Sequence, residues 1–154
     1  VVKEVSSLQI GILLPTDAEE IERGITIANR DLHLSLISQK MECTTDTQEI
    51  TDFIKKNNIE ILINALCAEK RMEIEEIIQK EEKMIITLTE TNEQLNPQTI
   101  FEKQFSYQYT KEYNKEPTKS AAEAYKTILA ISYAQENSDG TIQEIKNAFK
   151  KSPL

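Results

Sequence analysis

The first 95 residues alternate between strand-sized apolar runs and amphipathic segments of helix length, and this alternation restricts the possible folds more than any other feature. Four strand-like runs cover residues 8–14, 33–37, 59–66 and 83–89. The first segment between them has Ile21, Ile25 and Ala28 at helical spacing. Strands that alternate with such helices indicate right-handed βαβ units, and therefore a parallel sheet covered by helices.

Capping residues and apolar stripes predict where the helices of this part lie. Thr16 and Glu19 predict a capping box for a helix that continues to about residue 32. Thr45 and Gln48 predict a second box, for a helix that stops at the Asn57-Asn58 pair. A third helix is predicted over residues 69–82, with an apolar stripe of Met72, Ile74, Ile77 and Ile78.

The alternation stops after residue 95, where three helical patterns follow one another without a strand. They cover residues 98–113, 118–134 and 141–151, and the last begins with a Thr141–Glu144 capping box. The first has an aromatic stripe at spacing four, which we expect to pack on the sheet: Phe101, Phe105, Tyr109 and Tyr113. We expect one domain over residues 1–154, with βα units in 1–95 and a helical segment in 98–154 packed on the same sheet.

Charge and hydropathy disfavour two kinds of partner. Acidic residues outnumber basic ones by 26 to 18, the formal net charge is −8, and the basic residues are scattered along the chain. Nucleic acid and anionic membrane surfaces are therefore not expected partners. The apolar runs are far shorter than the roughly 20 residues that a bilayer-spanning helix needs, so direct membrane insertion is not expected either.

The sequence offers no pattern that predicts catalysis, a metal site or a cofactor. Its three glycines, at positions 11, 24 and 140, do not form a phosphate-binding loop. The only histidine, His33, is predicted at the start of the second strand, opposite the edge where a nucleophile would lie. The predicted third strand ends at Cys67 and not at the Asp that a response regulator requires. We therefore expect a protein that is not an enzyme and holds neither metal nor cofactor.

The two cysteines leave two interpretations open. Cys43 follows the predicted second strand and Cys67 ends the third, so both sulfurs are expected at the carboxyl edge of the sheet, where a disulfide is geometrically reasonable. Two reduced, buried cysteines in a cytosolic protein are the alternative. The residues alone do not decide between them.

Several segments, taken in order, resemble the type I periplasmic binding proteins, the leucine/isoleucine/valine-binding family of branched-chain amino-acid transport. They are IGILLP, ERGITIANRDL, ILINALC, MIITLTETNEQL, the stretch from FEKQF to AAEAYKTILAIS, and TIQEIKNAFKKS. The resemblance implies an α/β three-layer sandwich, a flavodoxin-like single lobe. Its parallel sheet would have four strands, or five, in the order 2-1-3-4, and three consecutive helices would follow.

The resemblance also implies particular roles for individual residues. Cys43 and Cys67 match the positions of a structural disulfide found in members of the family, in an exported protein whose signal peptide has been removed. A periplasmic or extracellular location follows from this. The residues that match the family's amino-acid ligands are Ala68, Glu69, Thr89 and Thr91. Glu69 stands where a serine is usual and is expected to repel a ligand carboxylate.

The main departure from the family is that only a few residues join Leu95 to the next helix, where the family builds a second lobe. Binding at a micromolar two-lobed site corresponds to a binding free energy of about −8 kcal/mol. One lobe that supplies roughly half of this free energy is expected to bind its ligand with a dissociation constant near millimolar, or not at all. One alternative is a sensor or interaction module that lost its ligand, with a homodimer, a transporter or a receptor as partner. Another is a small flavodoxin-like enzyme with Cys67 as nucleophile.

Overall fold

Four parallel strands form a single sheet in the order β2-β1-β3-β4 in this computed structural model, which describes residues 8–153. The strands are β1 (Gln9–Leu14), β2 (Leu36–Lys40), β3 (Ile59–Asn64) and β4 (Met84–Thr87). The helices are α1 (Glu19–Leu32), α2 (Thr47–Lys56), α3 (Arg71–Lys80), α4 (Ile100–Tyr113), α5 (Lys119–Glu136) and α6 (Ile142–Lys150). The predicted α/β class, strand order and three final helices are confirmed.

Side chains on the two faces of the sheet contribute to two separate apolar cores. Ile10, Ile12 and Ile61 pack with α1, α5 and α6 on one face. Leu13 and Leu62 pack with α2 and α3 on the other. This alternation follows from the period of two along a strand, and it produces three layers, with helices on both sides of the sheet.

The contact between α1 and α5 is unusually close and depends on a glycine. A Cβ atom placed on Gly24 would lie 2.2 Å from the carbonyl oxygen of Ala121. Ala121 and Ala124, both fully buried, present similarly small side chains from α5. Residue 24 therefore has no room for a side chain, and α1 and α5 pack almost backbone to backbone.

Two predicted helix starts are wrong. The N-cap of α1 is the buried Ala18, with no side-chain capping bond, because residues 15–18 form a turn closed by the Ala18 amide on the carbonyl of Pro15. For α2 the N-cap is Asp46, whose carboxylate accepts a hydrogen bond from the Gln48 amide. Thr45 instead accepts a bond from the Glu42 amide within the preceding loop.

The second strand begins three residues later than predicted, and His33 is not part of it. His33 is the C-cap of α1 in the left-handed conformation, with a φ of 54°. The side chain of Asn29 bonds both the amide and the carbonyl of Leu34, and so fixes the turn between helix and strand. His33 therefore lies at the amino edge of the sheet.

The aromatic stripe of α4 was predicted to pack on the sheet, and this prediction is wrong. The stripe packs on α1 and α5 instead. Phe105 and Tyr109 are fully buried there beside Ile27 of α1. The Phe105 ring stacks on Tyr125 of α5 with centroids 4.6 Å apart, whereas Phe101 is 44% exposed. The sheet face is already covered by α1, α5 and α6, so α4 lies outside them.

Other predictions for the helices fare differently. The Thr141 hydroxyl accepts a bond from the Glu144 amide at the start of α6, as predicted. Met72, predicted in the apolar stripe of the third helix, is 75% exposed, since that helix turns Ile74 and Ile78 inward.

None of the helices in residues 8–153 combines the length and apolar character needed to cross a membrane.

Candidate functional site

A cleft of about 270 Å³ opens where β1, β3 and β4 end. All four strands are parallel, so the segments that follow them meet at this one edge. Its apolar lining residues include Pro15, Ala65, Leu66 and Leu88. Backbone bonds hold these segments in register, among them the Ala65 amide to the Leu13 carbonyl at 2.9 Å.

A disulfide between Cys43 and Cys67 ties the loops of this edge together, as the resemblance implied. The Cα atoms are 5.8 Å apart, within the usual range for such a bond. Since β2 and β3 lie on either side of β1, the bond passes across the end of β1, and Cys67 itself lines the cleft. Both cysteines of the chain are used in it.

Two of the four predicted ligand residues line the cleft. Ala68 and Thr89 do so, and both are exposed. Glu69 is not among the lining residues: one of its carboxylate oxygens lies 3.4 Å from the sulfur of Cys43. Although Glu69 and the two sulfurs lie within 4.8 Å of one another, a disulfide offers no thiolate to a metal ion.

Thr91 has a local structural role. Its hydroxyl accepts a bond from the Glu93 amide at 3.2 Å, and its own amide donates to the Ser120 hydroxyl at 2.5 Å. Ser120, buried at the start of α5, also lies within bonding distance of the Thr89 carbonyl. The segment after β4 is thus fixed to α5, which orients the residue between the two threonines.

That residue is Glu90, which sequence reasoning missed. It lines the cleft, and its Oε2 is buried without a hydrogen-bond partner among the described residues. Burial raises the pKa of Glu90, and the negative charges of Asp17 and Glu20 raise it further. The available signal was its place between Thr89 and Thr91 directly after a strand, where we weighed only the threonines.

The cleft also contains a positive charge. Arg71, the first residue of α3, lines the same cleft, and its Nε donates to the Glu75 carboxylate at 3.3 Å. Arg71 is not among the charges that shift the pKa of Glu90. The arginine and the unpartnered carboxylate are therefore separate elements of the lining.

Close to Glu90, the carboxylate of Glu20 has several partners. It accepts hydrogen bonds from the Tyr109 hydroxyl and from the Thr118 amide, the latter at 3.0 Å, and Lys115 lies 3.3 Å away. Burial acts to raise the pKa of Glu20, but the bonds from Tyr109 and Thr118 outweigh it and lower the pKa. Burial and the bond to Glu20 raise the pKa of Tyr109 to about 12, so its hydroxyl stays protonated.

A larger groove, of about 980 Å³, lies between α1 and α4, away from the strand ends. Some of the charged side chains that line it form an ion pair with each other, since Arg30 lies 2.6 Å from Glu112. Tyr107 on its rim is 68% exposed. We favour the smaller cleft as the candidate site because it joins three strand ends and contains an unpartnered charge.

The fold and the cleft together define a three-layer α/β domain with its candidate site at the carboxyl edge of a parallel sheet. No protein-family model matches the chain, and no curated protein matches it. Among solved structures it is similar to a de novo designed Rossmann 2x2 fold protein, with 16% identity, a TM-score of 0.47, and coverage of 86% of this chain and 94% of the designed one.

It is also similar to a fatty acid ABC transporter substrate-binding protein from Thermomonospora curvata, with 14% identity, a TM-score of 0.46, and coverage of 94% of this chain and 46% of that one. A third is an ABC transporter substrate-binding protein from Desulfitobacterium hafniense in complex with Leu, with 14% identity, a TM-score of 0.37, and coverage of 94% and 50%. The chain spans about half the length of these two binding proteins. The likeness extends no further than the α/β architecture.

Proposed function

We propose that this chain is a non-catalytic, extracytoplasmic domain that binds a small molecule at the carboxyl edge of its sheet. It would be a one-lobed relative of the branched-chain amino-acid binding proteins that its sequence resembles. The observation that carries the proposal is the cleft after β1, β3 and β4, which is lined by Ala68 and Thr89 and bordered by the disulfide. Ligands of open parallel sheets bind at this edge.

The size and openness of the cleft set the expected affinity. Its volume of about 270 Å³ is at the lower end of what small-molecule sites enclose, about 300 Å³ upward. Thr89 and Ala68 are exposed, so a bound molecule keeps contact with water. One wall of this kind supports dissociation constants near millimolar, a few kcal/mol short of a micromolar site.

The proposal is tested by titrating a panel of amino acids and short fatty acids into the ¹⁵N-labelled chain and following the backbone amide signals. We expect millimolar binding that shifts the amides of residues 65–68 and 88–90. The Thr89→Val variant should weaken it, while Thr44→Val, an equal change on an exposed loop outside the cleft lining, should not. Shifts confined to other surfaces would contradict the site, and micromolar binding by the monomer would contradict the one-lobe argument.

One observation favours a second function, an interaction module that assembles through the same edge. Met72, in the first turn of α3 next to Arg71 of the cleft, is 75% exposed. Sedimentation of the wild type and of Met72→Ser distinguishes the two functions: a dimer that the substitution dissociates supports the interaction module, and a monomer at all concentrations argues against it.

The third function considered, an enzyme with Cys67 as nucleophile, has less support. A nucleophilic cysteine acts as a thiolate, and the sulfur of Cys67 is bonded to Cys43. Thiol titration of the native protein tests the enzyme hypothesis. Two reactive thiols in protein prepared under oxidising conditions would support a nucleophilic Cys67.

A further inference from the structure

The Glu90 carboxylate is an unexplained feature of the cleft. Its Oε2 is buried and has no hydrogen-bond partner among the described residues. A buried acceptor that is left without a partner loses its hydrogen bonds to water and gains none in return, which is unfavourable. A structural role such as that of Glu20, with bonds from Tyr109 and Thr118, does not account for it.

The surroundings of Glu90 make the cleft electrostatically negative at this end. The charged groups that shift the pKa of Glu90 are both carboxylates, Asp17 and Glu20, and with burial they all act against its ionised form. Glu20 is itself compensated by Lys115 at 3.3 Å. Glu90 has no corresponding ion pair among residues 8–153.

We infer that the cleft binds a small organic monocation, a primary ammonium group on a short apolar chain, with the ammonium group beside the Glu90 carboxylate. This inference rests on the proposed small-molecule function and names the ligand class for the same site. The ammonium group pairs with the charge of the Glu90 carboxylate, which has no ion-pair partner among residues 8–153. The apolar part of the ligand has Leu66 and Leu88 to pack against.

Arg71 restricts the ligand to a single positive charge. Arg71 lines the same cleft, and its Nε donates a hydrogen bond to Glu75 at 3.3 Å. A second ammonium group at that end of the ligand would meet a like charge, which disfavours binding. A monoamine is therefore expected to bind better than a diamine of the same chain length.

The experiment uses four probes of matched length: n-butylammonium, 1,4-diaminobutane, n-butanol and butyrate. Each is titrated into the ¹⁵N-labelled chain at neutral pH and constant ionic strength, and amide shifts are followed at residues 65–68 and 88–90. The variant is Glu90→Gln, which keeps the shape and removes the charge. The matched control is Glu76→Gln, the same change at an exposed position of α3 that does not line the cleft.

We expect n-butylammonium to bind the wild type and Glu76→Gln with equal, millimolar affinity, and Glu90→Gln roughly tenfold or more weakly. 1,4-Diaminobutane should bind less well than n-butylammonium. Equal binding of n-butylammonium to Glu90→Gln and the wild type, or its absence from the wild type, would overturn the inference.

The neutral and anionic probes separate this failure from a failure of the proposed function. Binding of n-butanol or butyrate in the cleft, with none of n-butylammonium, overturns the cation and leaves a small-molecule site. n-Butylammonium could also cause shifts that Glu76→Gln abolishes as fully as Glu90→Gln does. That result would show a general attraction of cations to an acidic surface and would overturn the role of Glu90. Folding of both variants is checked by their amide spectra without ligand.

Discussion

Two glutamates near the same edge of the sheet have opposite environments. Glu20, in α1, accepts hydrogen bonds from Tyr109 and Thr118, and its pKa is lowered in spite of burial. Glu90, after β4, has a buried oxygen without a partner, and its pKa is raised. A carboxylate whose charged form is bonded stabilises the fold, whereas one that is not opposes it. The first is therefore structural, and the second is the better guide to a ligand.

The same contrast separates the parts of the molecule around them. The helices α1, α4 and α5 are joined by close backbone contact at Gly24 and by buried aromatic rings. The carboxyl edge is made of loops, with Thr44, Ala68 and Thr89 exposed, and a covalent bond crosses it. Stability on the helical side comes from packing, and on the edge it depends more on the disulfide.

The largest expected effect is the loss of that disulfide. The double variant Cys43→Ser, Cys67→Ser frees two residues separated by 24 positions, and in the chain-entropy account this lowers the free energy of unfolding by about 3.5 kcal/mol. Urea denaturation measures it, and the wild type in excess reductant should give the same midpoint as the variant. Equal stability of the oxidised and reduced proteins would remove the contrast between edge and helical side.

The next effect tests the packing of the helical side. Gly24→Ala places a methyl group against the Ala121 carbonyl, so α1 and α5 must separate, and we expect a loss of about 3 kcal/mol, at the upper end for overpacking. Gly11→Ala is the control, because the atoms nearest to its Cβ belong to the side chain of Ile59, the closest at 2.8 Å, and not to a backbone carbonyl. A smaller loss for Gly24→Ala than for Gly11→Ala in thermal or urea unfolding would contradict the close contact.

A third effect concerns the bonded carboxylate. Glu20→Ala leaves the Tyr109 hydroxyl and the Thr118 amide without an acceptor and should cost about 2 kcal/mol at neutral pH. The folded pKa of Glu20 lies below its ordinary value of 4.5, so this stability is present above that value and is lost as the pH falls through the folded pKa. The loss measured by urea unfolding should therefore shrink in acid. Glu112→Ala, at a surface pair with Arg30, should cost much less.

Sequence reasoning predicted the architecture because that depends on patterns repeated over many residues. The strand-sized apolar runs and the helical spacing of Ile21, Ile25 and Ala28 in α1 are each supported by several side chains, so one misleading residue changes little. Single-residue predictions did less well. Thr16 and Thr45 have the residue type of a cap, but Ala18 and Asp46 take that position because the turns before the helices set where each one begins.

The candidate site was only partly predictable for a related reason. The edge and the nearby positions Ala68 and Thr89 follow from the strand ends and the resemblance. The unpartnered state of Glu90 depends instead on which groups come near it from α1, from the turn before α1 and from α5. These are Glu20, Asp17 and Ser120, at positions about 30 to 73 residues away in the chain. Such long-range pairings leave no local pattern. The docking of α4 on α1 was missed for the same reason.

The smallest expected effect has the opposite sign to that of Glu20→Ala. Burial, Asp17 and Glu20 raise the folded pKa of Glu90 above its ordinary value of 4.5, so its protonated form favours folding at low pH, and this contribution is lost as the pH rises through the folded pKa. Glu90→Gln removes that loss. Without ligand, the variant should match the wild type at about pH 3.5 and exceed it at about pH 7, by roughly 1 kcal/mol or less since the side chain is partly exposed. Urea unfolding at both pH values measures the difference, with Glu76→Gln expected to show none. A variant less stable than the wild type at neutral pH would mean that Glu90 has a structural partner, and the two glutamates would then no longer differ.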